Sequence, residues 1–206
     1  MNLKKDEFWN ALTHLIGAVL GIVGLFILLH FDTSKNQYST LSILFYSFSV
    51  ILLYSGSTVY HWVSHVKWKT IFRKVDHISI YFLIAGTYTP VALITLENGS
   101  GWFIFWTVWG VAALGTLLKI FFTGRFEILS LLLYLAMGWL IIFDFNELTA
   151  NSTELGINLL MAGGAFYTVG ILFYVVERIP FNHLIWHFFV LGGSICHYLF
   201  ILLSVI

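Results

Sequence analysis

The stretch FWNALTHLIGAVLGIVGLFILLH, residues 8–30, carries no Asp, Glu, Lys or Arg. Coiled as a helix at 1.5 Å per residue, it reaches about 35 Å, enough to cross a hydrocarbon core of about 30 Å. Six further apolar runs follow, at about 39–62, 77–96, 101–122, 126–144, 156–177 and 183–204. Across all 206 residues, 59% are hydrophobic and 10% are charged, and the mean hydropathy is +0.90. That composition excludes an ordinary soluble domain. The predicted fold class is an all-α integral membrane protein, a bundle of seven transmembrane helices.

Cationic residues collect in cytoplasmic loops. Lys4 and Lys5 precede the first run, Lys67, Lys69, Arg73 and Lys74 lie between the second and third, Lys119 and Arg125 flank the turn between the fourth and fifth, and Arg178 lies between the last two. Nine of the ten Lys and Arg therefore share one side, and only Lys35 falls on the other. The amino terminus is predicted to be cytoplasmic and the carboxyl terminus outside. Connectors on the outer side carry Asp32, Glu97, Asp144, Glu147 and Glu154. A signal peptide would also open on lysines and an apolar run, but this run is long, is preceded by Glu7, contains Asn10 and His14, and ends in no clear small-residue cleavage site. One cysteine, Cys196, excludes an internal disulfide and a cysteine-only metal site. With no repeat and no long linker, residues 1–206 read as a single domain, multi-pass in the cell's inner or plasma membrane.

Polar side chains inside a bilayer are costly and usually face the bundle interior, so each one bears on function. Asn182 is expected to cap the last helix after Pro180, which puts His183 in its first turn and His187 one turn deeper, about 6 Å on. His61 lies at the exit of the second run with Ser57 one turn deeper on the same face, and Asp76 is expected to open the third helix. Five polar side chains thus meet one membrane face at similar depth. Two histidines at i and i+4 point along one helix face and suit a metal such as zinc, with His61 the natural third ligand. The spacing is that of the helical HExxH motif without its glutamate, so a general base must come from another helix; Asp76 could supply it.

Ser57 to His61 (S-x3-H), the segment DHISIYFLIAGTYTP that begins at Asp76, and His183-x3-His187 together resemble the hemolysin III family, the bacterial branch of the progestin and adipoQ receptors, related to alkaline ceramidases. The resemblance covers essentially the whole chain. It implies a seven-helix bundle with its amino terminus inside, zinc held by His61, His183 and His187, Asp76 touching the metal's water, and Ser57 beside it. In the receptor and ceramidase branches such a site is linked to hydrolysis of lipid amides. The expectation is a zinc-dependent membrane hydrolase of a lipid amide or ester, with membrane lipids as partners. The alternatives are a receptor with structural zinc, or a hemolysin that permeabilises membranes.

Other readings stand beside these. Ser57 alone could bond back to the carbonyl of residue 53, and Asp76 could be a charge favoured by a helix N-terminus. His197, 14 residues after His183, is roughly 21 Å deeper and cannot share its metal; it lines a cavity or hydrogen-bonds within the bundle. His77, His30 and His65 are expected to lie at interfaces, helix ends or loops. The first run carries a stripe of Glu7, Asn10, His14, Gly17, Gly21 and Gly24, suited to close packing or to orienting the metal ligands. Pro90 predicts a kink, with Thr87 and Thr89 near the disrupted turn. The outer halves of the second, fourth and sixth runs read as strongly apolar, which argues against a pore. No phosphate-binding GxxxxGK, no GxSxG elbow and no basic tract for nucleic acid is present.

Overall fold

The computed structural model describes residues 3–206, with side chains from Asp6 onward; the side chains of Lys4 and Lys5, used above for orientation, lie outside the described residues. The order is α1 (Leu3–Phe31), α2 (Ser39–Trp62), α3 (Val66–Pro90) with a π turn (Val91–Thr95), α4 (Gly101–Phe122), α5 (Glu127–Gly138), a 3-10 turn (Leu140–Asp144), α6 (Phe145–Ala150), α7 (Glu154–Val175), and α8 (Asn182–Phe200) with a closing π turn (Ile201–Val205). No strand occurs among the described residues. Seven spans are long and apolar enough to cross a membrane, α5 and α6 together forming one of them. An odd number of crossings places the start of the first span and the end of the last on opposite faces.

Burial distinguishes inner from outer helices. The most apolar windows of α2 and α3 are 56% and 61% buried, whereas the α5–α6 span is 11% buried and α7 is 17%. The first pair forms the centre, and the second turns most of its surface to lipid. α1 and α8 pack on each other and on α2 and α7, bringing the chain's first and last helices together. Small residues allow that approach: a side chain on Gly17 would run into the Tyr54 ring, and one on Gly24 would meet Tyr198.

Five details differ from the sequence reading. α3 begins at Val66, so Asp76 lies ten residues inside it, about 15 Å from its start. Hydropathy marks where lipid begins, and Lys67, Lys69, Arg73 and Lys74 are good helix formers that carry the helix out past that boundary. Asn182 does not cap α8. Its N-cap is Phe181 in a left-handed conformation with φ 57°, and the Asn182 side chain donates instead to the Phe173 carbonyl, 3.1 Å away, in the last turn of α7. The fifth span breaks into a 3-10 turn at Leu140–Asp144 and runs on to Ala150.

At Pro90 the α-helix passes into a π turn closed by the Leu96 N–H on the Val91 carbonyl, 3.0 Å. Proline lacks the N–H that would bond the residue 86 carbonyl, and Thr87 and Thr89 do not replace it, since their hydroxyls donate to Leu83 and Ala85, each four residues back. Finally, the outer half of α2 is not apolar on its inner face, where Ser39, Ser42, Tyr46, Ser47 and Ser49 are all buried. Serine is nearly neutral in a hydropathy average, so a buried serine stripe disappears into the mean.

Two charged groups tie the bundle at its ends. At the basic face, Lys119 of α4 is fully buried and its ammonium pairs with Glu127 of α5, which His77 of α3 also approaches at 3.5 Å. The cluster anchors the sparsely packed α5 to the centre. At the opposite face, Lys35 donates to the Val205 carbonyl at 2.9 Å. That bond satisfies a carbonyl at the end of the last helix and explains the one cation outside the basic side.

Candidate metal centre

Three imidazoles converge at the inner ends of α2 and α8. One ring nitrogen from each of His61, His183 and His187 lies within 4.8 Å of the others, and no other group of three or more potential ligands does so among the described residues. His183 and His187 meet because residues four apart share a helix face; their ring centroids are 4.6 Å apart. His61, in the last turn of α2, places its ring 5.1 Å from each of them. His61 and His187 are buried, and His183 is half-buried.

Hydrogen bonds at the far sides of the rings decide which nitrogens are bare. His61 Nδ1 lies 2.8 Å from Glu7 Oε2, a carboxylate oxygen that also accepts from Lys69 Nζ at 2.9 Å. The carboxylate accepts only, so Nδ1 carries a proton, and in the neutral ring that a metal requires Nε2 is the bare nitrogen. His187 Nδ1 is 3.2 Å from the Asn10 carbonyl and 3.2 Å from Thr13 Oγ1. The Thr13 hydroxyl itself donates to the Asn10 carbonyl at 2.9 Å, so its lone pair receives the His187 proton, and His187 Nε2 is bare as well.

This far-side partner, carboxylate or carbonyl, is the arrangement that fixes the tautomer and orientation of metal-binding histidines. His61 Nε2 and His183 Nε2 face each other at 3.3 Å. A tetrahedral zinc ion with bonds of 2.0–2.1 Å holds its ligand atoms about 3.3 Å apart. Without a cation, one of the two nitrogens must carry a proton to avoid opposed lone pairs. The donor set of three imidazoles therefore fits a zinc ion, and two of them, His61 and His183, line a cavity of about 250 Å³ that reaches Asp6, Glu7, Asn10 and Tyr60.

The other predicted residues lie close by. The half-buried Asp76 lies outside the 4.8 Å cluster, with the Ser57 hydroxyl close to its carboxylate. The Ser57 side chain is buried near the Asp76 carboxylate, and its hydroxyl does not bond back to residue 53; it makes no hydrogen bond of ordinary length and angle. His14 stacks on His187 with centroids 3.6 Å apart, and both of its ring nitrogens are buried without a partner. His197 is remote from the cluster and bonds to the Leu160 carbonyl.

Two contributors escaped the sequence reading. Thr13 gave no signal beyond sharing a helix with the Glu7–Asn10–His14 stripe, and the Asn10 group that is used is its backbone carbonyl. Lys69 read only as a loop cation. Its link to Glu7 follows from α3 starting at Val66, which extends a helix beside the mouth of the site.

Fold and site together define a seven-span helical membrane protein with a histidine cluster buried just inside its basic face. The family described as Haemolysin-III related matches residues 2–198. The chain is 47% identical over 191 residues to Hemolysin-3 of Bacillus cereus, covering 92% of this chain and 87% of that one. It is 44% identical to a Hemolysin-3 homolog of Bacillus subtilis (strain 168), covering 92% and 90%, and 31% identical over 195 residues to the monocyte to macrophage differentiation factor of Homo sapiens, covering 92% and 80%. The chain belongs to the haemolysin III family.

Proposed function

We propose that His61, His183 and His187 hold a zinc ion and that the protein hydrolyses an amide or ester bond of a membrane lipid in the cell membrane. The observation that carries this reading is the orientation of the rings. His61 and His187 each spend Nδ1 on an acceptor from α1 and turn a bare Nε2 into the cluster, and three protein ligands leave a fourth position free. Bound zinc acidifies water towards a pKa of about 7 and polarises a carbonyl.

The chain's own groups supply the rest. Asp76, on α3 near Ser57, takes the proton of the attacking water and returns it to the departing amine or alcohol as the carbonyl–heteroatom bond breaks. The Ser57 hydroxyl, near Asp76 and free of any backbone bond, orients that water or the developing oxyanion. The polar cavity over His61 and His183 admits water from the basic face, and a substrate dissolved in the bilayer arrives sideways between helices. A hydrolase that releases detergent-like products disturbs a bilayer without a pore, which accommodates the name Hemolysin-3 carried by relatives.

The test is release of fatty acid from a panel of amide and ester lipids by purified, zinc-loaded protein. Asp76→Asn should keep zinc and fold while losing about 100-fold or more in turnover, and Ser57→Ala should lose less. A broad panel with no product, and zinc confirmed bound, would instead favour a structural clamp between α2 and α8.

A further inference from the structure

His197, the third histidine of α8, has no part in that chemistry. It lies ten residues beyond His187, about 15 Å further along the helix. Its ring is pressed against α7, where a side chain on Gly163 would collide with Cδ2 and Nε2. Nε2 lies 3.3 Å from the Leu160 carbonyl oxygen. Because a carbonyl only accepts, Nε2 carries the proton and Nδ1 is a bare acceptor. Among the described residues no donor reaches Nδ1, and it is not sealed into the packing.

His197 lines a groove between α3, α5, α7 and α8 whose walls are apolar, with Leu83, Leu131, Leu135 and Ile171 among them. The inner end of the groove is formed by Tyr174 and Trp186; the Tyr174 ring is 6.4 Å from that of His183, so the groove begins beside the histidine cluster. From Trp186 to His197 it follows α8 for eleven residues, about 16 Å. The wall made by α5 belongs to the span that is only 11% buried, which leaves this side facing lipid chains. A bare imidazole nitrogen deep in an apolar groove is costly unless its occupant brings a donor.

We propose that the groove seats one lipid chain lying outward along α8 from the histidine cluster, and that His197 Nδ1 accepts a hydrogen bond from a hydroxyl on that chain. The inference rests on the hydrolase reading for which end of the chain reacts. It names the substrate class: an acyl lipid hydroxylated about a dozen carbons from its reacting carbonyl, since an extended chain advances about 1.25 Å per carbon. In free hydrocarbon such a hydroxyl has no partner, and pairing it with His197 satisfies both groups at once. His197 is then a specificity-determining residue, separate from the metal ligands.

The experiment measures displacement of a fluorescent fatty acid from the zinc-loaded full chain by stearate, 2-hydroxystearate and 12-hydroxystearate. The 12-hydroxy acid should bind about 5- to 10-fold tighter than stearate, and the 2-hydroxy acid should gain nothing comparable. His197→Phe should erase the preference for the 12-hydroxy acid over stearate, and His197→Gln, which restores an acceptor, should recover part of it. Equal affinities for the three acids in the wild-type protein, which needs no variant to fold, overturn the proposal. So does a preference that survives His197→Phe, or no binding of any of them. Failure of turnover with the 12-hydroxy preference intact would remove the hydrolase reading alone, and turnover without the preference would remove this inference alone.

Discussion

Replacing Glu7 with alanine removes the acceptor that holds His61 Nδ1–H at 2.8 Å and leaves a buried imidazole free to turn or to change tautomer. Loss of such an outer partner costs about 10- to 100-fold in metal affinity, equivalent to about 1.4–2.7 kcal/mol. The Glu7 side chain is 41% exposed and shares its oxygen with Lys69, both of which weaken its hold, so the expected loss lies near tenfold. Glu7→Gln keeps an acceptor without charge and should lose less. Lys69→Met frees the carboxylate for His61 alone, so zinc affinity should be unchanged or somewhat higher. Competition against a zinc chelator of known affinity, on purified variants of equal thermal stability, gives the three constants. Glu7→Ala binding zinc within twofold of wild type would refute the assignment of Glu7 as the partner that orients His61.

The ligands and their remote counterpart should separate cleanly: His183→Ala and His187→Ala should lose zinc and melt at lower temperature in detergent, because an ion bound only by the folded state stabilises it, whereas His197→Ala should retain zinc on metal analysis. At the α4–α5 tie the two partners should not be equivalent. Glu127→Gln strands the fully buried Lys119 ammonium and should cost about 3 kcal/mol in denaturant unfolding, while Lys119→Met leaves only a partly exposed carboxylate and should cost less; equal losses would contradict this placement of Lys119. A carboxyl-terminal reporter should be active only outside the cytoplasm, given the nine cations on one side, and activity only inside would reverse the orientation.

The spans were legible because lipid imposes one rule on long stretches of chain, and a 20-residue average reads it well. Where a boundary depends on helix propensity instead of lipid, the average fails, as at Val66, where four cations continue α3 beyond the apolar part. The convergence of His61, His183 and His187 was legible from depth alone, since each lies near the same end of its span. The groups that orient them were less so: Glu7 and Asn10 stood out as polar residues in a membrane helix, but the use of the Asn10 backbone carbonyl and of Thr13 depends on the rotation of α1 against α8. Lys119 read as a loop charge because its partner Glu127 lies across a turn, where sequence spacing gives no face. The buried serines of α2 were hidden by averaging.

The most direct test of the central claim is zinc K-edge absorption on the purified full chain, with metal content measured on the same sample. The account predicts about one zinc per chain, with three nitrogen neighbours at 2.0–2.1 Å and one oxygen neighbour completing a four-coordinate shell. Protein that remains folded without zinc under zinc-replete conditions, or zinc with fewer than three imidazole neighbours, would contradict it.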